Sequence, residues 1–345
     1  MGLFSKDIGI DLGTANTLVH VKGDGIVIRE PSVVAIDKGT NRVIAVGDEA
    51  KEMLGRTPRG ITVVRPLREG VIADYEVAHA MLRYFIGRAY PSRLGFRPRV
   101  VTCVSSGATD VERRAIEEAA LQAGARESFL IEEPVAAAIG AGLPVFAPVG
   151  SMVLDIGGGS SEAAALAMGG IVACRSIRVA GDSFDSAIMS YVRRAHRVEI
   201  GARTAEDIKM SIGAAHPHPR DGRFEIRGRD VVDGMPKQFE VTTSQIAEAL
   251  REPLAATVEA LRATVEKTPP ELLADIARQG IAITGGGALL FGIDRLISSK
   301  IGLPAFVAES PLDCVALGTG AAMENIRALA THRRADRISA PALRR

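Results

Sequence analysis

Between residues 7 and 36 the apolar positions come in short bursts, DIGIDLG, TLVHVKG, GIVIREP and SVVAID, with Gly23, Gly25 and Pro31 as punctuation. Bursts of this length separated by turn residues predict a hairpin-rich sheet. Residues 37–65 are mixed, with a short helical pattern near Asp48–Gly55. Val77, Met81 and Phe85 recur at helical spacing and predict a helix over 73–90 that stops near Pro91. A buried strand over Arg99–Ser106 follows, then an amphipathic helix over Asp110–Ala123 closed by Gly124. A short strand at Phe129–Ile131 leads into a Pro-started helix over Pro134–Gly142.

The pattern then starts again. Ser151–Asp155 is an apolar strand, followed by GGGSSE, AAALAMGG and IVACRSIRVAG. Helices are expected over Ser183–His196 and 204–212, polar strands within 221–244, and a long helix over Ser244–Lys267. Another helix follows Pro269-Pro270, then the strand IAITGGG at 281–287, a helix over 289–300, a strand at 305–308 and a helix over 315–327. The Ala- and Arg-rich stretch 328–345 has no sustained pattern and is expected to be disordered.

The restart repeats a motif. Ile10-Asp11-Leu12-Gly13-Thr14 returns as Leu154-Asp155-Ile156-Gly157-Gly158-Gly159-Ser160-Ser161. A single copy suits a β-turn equally well. Two copies half a protein apart suggest a duplicated domain, each half offering one Asp-Gly loop. Glycines let backbone N–H groups converge on phosphate oxygens, and Thr14, Thr17, Ser160 and Ser161 add hydroxyl donors. The two acids would repel phosphate unless a divalent cation stood between, and magnesium suits carboxylate, water and phosphate ligands. A third run, Ile281 to Ala288, ends a strand in Gly285-Gly286-Gly287 and leaves room for a flat ligand against the backbone. Neither a Rossmann fingerprint nor a Walker A loop is present.

Composition narrows the class. A chain of 345 residues, 47% hydrophobic and 24% charged, suits two soluble domains of ordinary size. A net charge of +1 gives no pull toward nucleic acid, and no such partner is expected. Cys103, Cys174 and Cys314 are far apart in apolar contexts and read as reduced thiols of a cytoplasmic protein. No secretory signal is expected, and MGLFSK misses the myristoylation pattern at Lys6. The uncharged stretch Pro134–Leu154 is long enough to span a bilayer, but Pro134, Pro144 and Pro148 fit a helix, a turn and a buried strand better. His216-Pro217-His218 lacks acids at ligand spacing and reads as a polar loop.

DIGIDLGTANT, VLDIGGGSSE and ITGGGALL together resemble the two phosphate loops and the adenosine loop of the actin, Hsp70 and sugar-kinase superfamily. IDLGTANTLV, EPSVVAI, RPLREGVIAD, GATDVERRAI, IEEPVAAAIGAGLPV, RTAEDIK and TGGGALLFGIDRL are similar, nearly motif for motif, to the MreB/Mbl family of bacterial actins. The likeness runs from Asp7 to about Ile326. It implies an α/β fold of two RNase H-like lobes, a nucleotide cleft between them and a smaller subdomain on each. The expected division is lobe I over 1–145 (small subdomain 33–65) and lobe II over 146–314 (small subdomain 182–244). Residues 315–327 then return to lobe I.

The resemblance also implies roles. Gly13, Thr14, Ala15 and Asn16 would hold phosphates of ATP from one lobe, and Gly157, Gly158, Gly159 and Ser160 from the other, with Gly181 also among the nucleotide-binding residues. Asp11 and Asp155 would arrange Mg2+, largely through water. Glu206, Asp207, Ile208 and Lys209 would meet the ribose and adenine, with Gly285, Gly286, Gly287, Ala288 and Leu289 against the adenosine. Glu133 would position or activate the attacking water, assisted by Ser160; from the residues alone Glu132-Glu133 reads as a solvated strand end before a Pro-started helix. Leu3, Phe4, Leu94 and Phe96 would touch the membrane, ordinary packing being the other reading.

The implied protein is a slow ATPase that polymerises, as paired protofilaments, on the inner face of the cell membrane. There it would work with cell-wall elongation proteins to set cell shape. A small-molecule kinase of the same fold would need an acceptor site with its own base. An Hsp70-like chaperone would need a peptide-binding domain after the core. The sequence departs from the family pattern in places. GGGTT is here GGGSS, Val-Pro-Ser-Gly is Val104-Ser105-Ser106-Gly107, Gly-Gly-Asp is Ala180-Gly181-Asp182, and 214–220 reads AAHPHPR.

Overall fold

The computed structural model describes residues 7–90, 97–216 and 221–323. Leu3, Phe4, Leu94, Phe96, Pro217, His218 and the 328–345 stretch lie outside the described residues. The first half runs β1 (Ile8–Leu12), β2 (Asn16–Val21), β3 (Gly25–Pro31), β4 (Val34–Asp37), β5 (Arg42–Val46), α1 (Asp48–Glu52) and β6 (Ile61–Val64). It continues with β7 (Leu67–Arg68), β8 (Val71–Ile72), α2 (Tyr75–Ala89), β9 (Arg99–Val104), α3 (Asp110–Gln122), β10 (Glu127–Glu132) and α4 (Glu133–Gly140). The second half runs β11 (Ser151–Ile156), β12 (Ser161–Ala167), β13 (Gly170–Ile177), α5 (Gly181–His196), β14 (Val198–Glu199), α6 (Ala202–Ile212), β15 (Arg223–Asp230) and β16 (Pro236–Thr242). It ends with α7 (Thr243–Lys267), α8 (Pro270–Gln279), β17 (Ile281–Thr284), a 3-10 turn (Gly286–Leu289), α9 (Ile293–Ile301), β18 (Ala305–Val307) and α10 (Cys314–Ala322).

Two five-stranded sheets follow one plan. The first is ordered β10-β9-β1-β2-β3 and the second β18-β17-β11-β12-β13. In each, three strands form an antiparallel meander, and two more run parallel beside the first of them. The central strands β1 and β11 are buried along their whole length. Strands covered on both faces read as nearly unbroken apolar runs, which is how both appear in the sequence. Each lobe also carries a three-stranded sheet, β5-β4-β6 in one and β14-β15-β16 in the other.

The elements begin and end where local chemistry dictates. Thr109 and Glu112 form a reciprocal cap at the start of α3, and Thr242 and Gln245 do the same for α7. The helix expected over 289–300 is instead a 3-10 turn followed by α9, because Gly292 takes a left-handed conformation (φ 73°) between them. The last helix, α10, packs on α4 and on β1 of the first sheet. It approaches α4 backbone to backbone: a Cβ on Gly318 would strike the Ala136 carbonyl, and one on Gly140 the Cys314 carbonyl.

Candidate functional site

The shared plan brings the ends of β1 and β11 to opposite walls of one cavity of about 470 Å³. Each of these strands carries its acid where it reaches the cavity. Asp11 and Asp155 are both buried, and both line it. Burial first, then the charge of Asp155, pushes the Asp11 carboxyl up to about 7, against the Cys103 thiol, which donates to it over 3.3 Å. Burial likewise raises Asp155 to about 6, opposed by the Thr284 hydroxyl, which donates to it over 2.6 Å. Glu133 heads α4 and lines the same cavity, held well above the carboxylate range by burial and by Asp155, Glu162 and Asp11. Among the described residues no group of three or more His, Cys, Asp or Glu side chains forms a metal cage by itself. Two hard oxygen donors with open sides suit a cation that completes its shell with water and phosphate, as magnesium does.

The first glycine loop joins β1 to β2 and is pinned from behind. Ser32 donates its hydroxyl to the Gly13 carbonyl (2.5 Å), meets the Thr17 hydroxyl at 2.8 Å, and donates its amide to the Ala15 carbonyl (3.0 Å). The second loop joins β11 to β12 and is held by the first turn of α5. The Gly181 and Asp182 amides donate to the Gly157 and Gly158 carbonyls, over 3.1 and 2.8 Å. The two loops nearly touch: a Cβ on Gly158 would press on Ala15, and one on Gly159 on the Thr14 hydroxyl. Side chains there would fill the space that bare backbone leaves between the two loops. The β7–β8 hairpin closes over both loops. Its turn residues Glu69 and Gly70 have positive φ (53° and 80°), as a type I′ turn demands. Gly70 donates its amide to the Thr14 hydroxyl (3.1 Å) and packs against Ser160.

The other end of the cavity is lined by α6 and the third glycine run. Lys209 donates to the Gly181 carbonyl (3.2 Å) and sits 2.8 Å from Asp185 of α5. Glu206 faces Lys51 across the cleft at 3.8 Å. Gly285, Gly286, Gly287 and Leu289 line this end, with Met210, Leu290, Pro311 and Leu312 supplying apolar surface.

Of the residues singled out from sequence, Asp11, Gly13, Thr14, Ala15, Asn16, Glu133, Asp155, Gly157, Gly158, Gly159, Ser160, Gly181, Glu206, Lys209, Gly285, Gly286, Gly287 and Leu289 share this one cavity. Asp207 is not among its lining residues, and Ile208 and Ala288 are buried in the hydrophobic core behind it. Ser32, Gly70, Asp185, Glu162 and Thr284 were not singled out. Ser32, Gly70, Glu162 and Thr284 stand inside quoted motifs, EPSVVAI, RPLREGVIAD, VLDIGGGSSE and ITGGGALL. Asp185 had no signal, since its partner lies on another helix.

The chain matches the model of a family described as MreB/Mbl protein over residues 5–331. The cell shape-determining protein MreB of Escherichia coli (strain K12) is 53% identical over 330 residues, covering 94% of this chain and 95% of that protein. The cell shape-determining protein Mbl of Bacillus subtilis (strain 168) is 51% identical over 324 residues, covering 94% and 97%. MreB5 of Spiroplasma citri bound to ADP superposes with a TM-score of 0.89 at 38% identity, covering 94% of this chain and 98% of that one. The same protein bound to AMPPNP gives 0.89 at 37%, covering 96% and 99%.

Proposed function

This chain belongs to the MreB/Mbl family, and from that premise we propose that it is an ATP-binding, filament-forming bacterial actin. It assembles on the inner membrane face and organises cell-wall synthesis and cell shape, with slow ATP hydrolysis coupled to assembly. The observation that carries the reading is the pair of Asp-Gly loops meeting across one cavity that Glu133 also lines. The names of the curated relatives support the cell-shape role, and the nucleotides held by the Spiroplasma relative support the ligand.

In this reading backbone N–H groups of Gly13, Thr14, Ala15 and Asn16 grip phosphates from one wall, and Gly158 and Gly159 from the other. Lys209, Glu206 and the Gly285–Leu289 run hold the nucleoside. Asp11 and Asp155 are the carboxylates that would hold Mg2+, which when bound neutralises phosphate charge. Glu133 takes a proton from the water that attacks in line, and Ser160 orients that water. Burial and the neighbouring acids Asp155, Glu162 and Asp11 raise the proton affinity of Glu133.

The test is sedimentation of purified protein with magnesium and ATP, ADP or no nucleotide, with and without anionic vesicles, followed by electron microscopy. Nucleotide-dependent paired filaments on vesicles are expected. Protein that binds ATP yet stays in the supernatant under every condition would refute the filament. Glu133→Ala is expected to bind nucleotide normally and to slow phosphate release by about 100-fold.

A further inference from the structure

Glu162, on β12, is a wholly buried acid met, among the described residues, by hydroxyls and an amide rather than by a cation. Its carboxylate accepts from the Ser105 hydroxyl, from the Ser106 hydroxyl (2.8 Å) and amide (3.1 Å), and from the Ser176 hydroxyl (3.1 Å). A buried carboxylate is tolerated only when its lone pairs are satisfied. These donors therefore belong to it, and losing them would leave a charge stranded.

The partners stand on opposite sides of the cleft. Ser176 is the cross-strand neighbour of Glu162 in the second sheet, whereas Ser105 and Ser106 follow β9 of the first. Both ends of this bridge lie next to the reacting groups. Glu162 is paired in register with Asp155 and stands two residues after Ser160. Val104, just before Ser105, is paired with Glu132, just before Glu133. The bridge thus joins the strand end that carries Glu133 to the loop that carries Ser160.

We propose that Glu162 is a positioning residue for hydrolysis: by binding Ser105 and Ser106 across the cleft it fixes the gap between Glu133 and Ser160 in which the attacking water stands. This rests on the hydrolytic reading above. Ser105 occupies the place of Pro in the family pattern and adds a hydroxyl that Pro could not offer. The charge of Glu162 also contributes to the raised proton affinity of Glu133, which agrees with their closeness.

The experiment uses the full chain with magnesium and ATP. Single-turnover hydrolysis and nucleotide affinity are measured for wild type, Ser105→Ala, Ser105→Ala/Ser106→Ala, and the hydroxyl-keeping Ser105→Thr. The double variant is expected to hydrolyse about 10- to 100-fold more slowly, because small misplacement of reacting groups is costly. Affinity should stay within about twofold, and Ser105→Thr should keep most of the rate. In parallel, hydrogen exchange of the Ser106 amide is followed in nucleotide-free wild type and Glu162→Gln. Slow exchange that the substitution accelerates is expected, since that amide donates to Glu162.

An unchanged rate in the double variant overturns the proposal, and so does a rate that falls only as far as affinity falls. Fast Ser106 exchange in wild type overturns the bridge itself. A wild type that hydrolyses no ATP, yet shows slow Ser106 exchange, removes the hydrolytic reading instead.

Discussion

Asp11 and Asp155 approach one cavity from two strands, and neither meets a lysine or an arginine among the described residues. Their burial, to which the charge of Asp155 adds at Asp11 and that of Glu162 at Asp155, is a cost that the protein bears until a cation arrives. In magnesium-free, nucleotide-free protein at pH 8, Asp11→Asn should therefore raise Tm by about 2 °C or more, by scanning calorimetry. The same variant should lose most of the Tm gain that magnesium and nucleotide give wild type. A lower Tm without ligand would mean that Asp11 is stabilised where it stands. Asp185 yields a second test. It holds Lys209 from the neighbouring helix, so Asp185→Ala should weaken nucleotide binding nearly as much as Lys209→Ala, read by titration calorimetry. The two strand-end acids were legible in the sequence because each sits in a repeated local pattern. Asp185 was not, because nothing local marks a carboxylate whose partner is a helix away.

Among the elements, the strands were legible where apolar bursts met glycine and proline, as in β1–β4 and β11. The 289–300 segment, expected as one helix, is interrupted because the left-handed turn at Gly292 starts α9 afresh. The contact between α4 and α10 was also hidden, since small residues give no periodic signal. It has a measurable weight. Gly318→Val would drive its Cβ into the Ala136 carbonyl, and should cost about 3 kcal/mol or prevent folding, read from urea unfolding. Thr242→Ala at the α7 cap should cost about 1 kcal/mol, because the Gln245 amide loses its acceptor.

Across the whole molecule, the mouth of the cleft is spanned by ion pairs that no local pattern announces. Arg65 meets Asp182 at 2.7 Å, Arg178 meets Glu69 at 3.1 Å, and Lys51 meets Glu206 at 3.8 Å. The first joins residues 117 positions apart. All are partly exposed, so salt should weaken them as the screening length falls from about 10 Å at 0.1 M to about 3 Å at 1 M. Nucleotide-free protein should then open, seen as a larger radius of gyration by small-angle scattering, while nucleotide-loaded protein should change little. Equal expansion in both states would show that the pairs do not hold the mouth.

The return of α10 to the first sheet has a consequence for how the chain comes into being. A growing polypeptide normally completes its leading domain while the rest is still being made. Here α10 lies at Cys314–Ala322 and covers β1, which begins at Ile8. The first lobe therefore lacks its α10 cover until residues 314–322 have been made, and β1 waits for that cover across the whole of the second sheet. A chain cut before Cys314 is therefore expected to leave that face of β1 bare and to aggregate, read by light scattering.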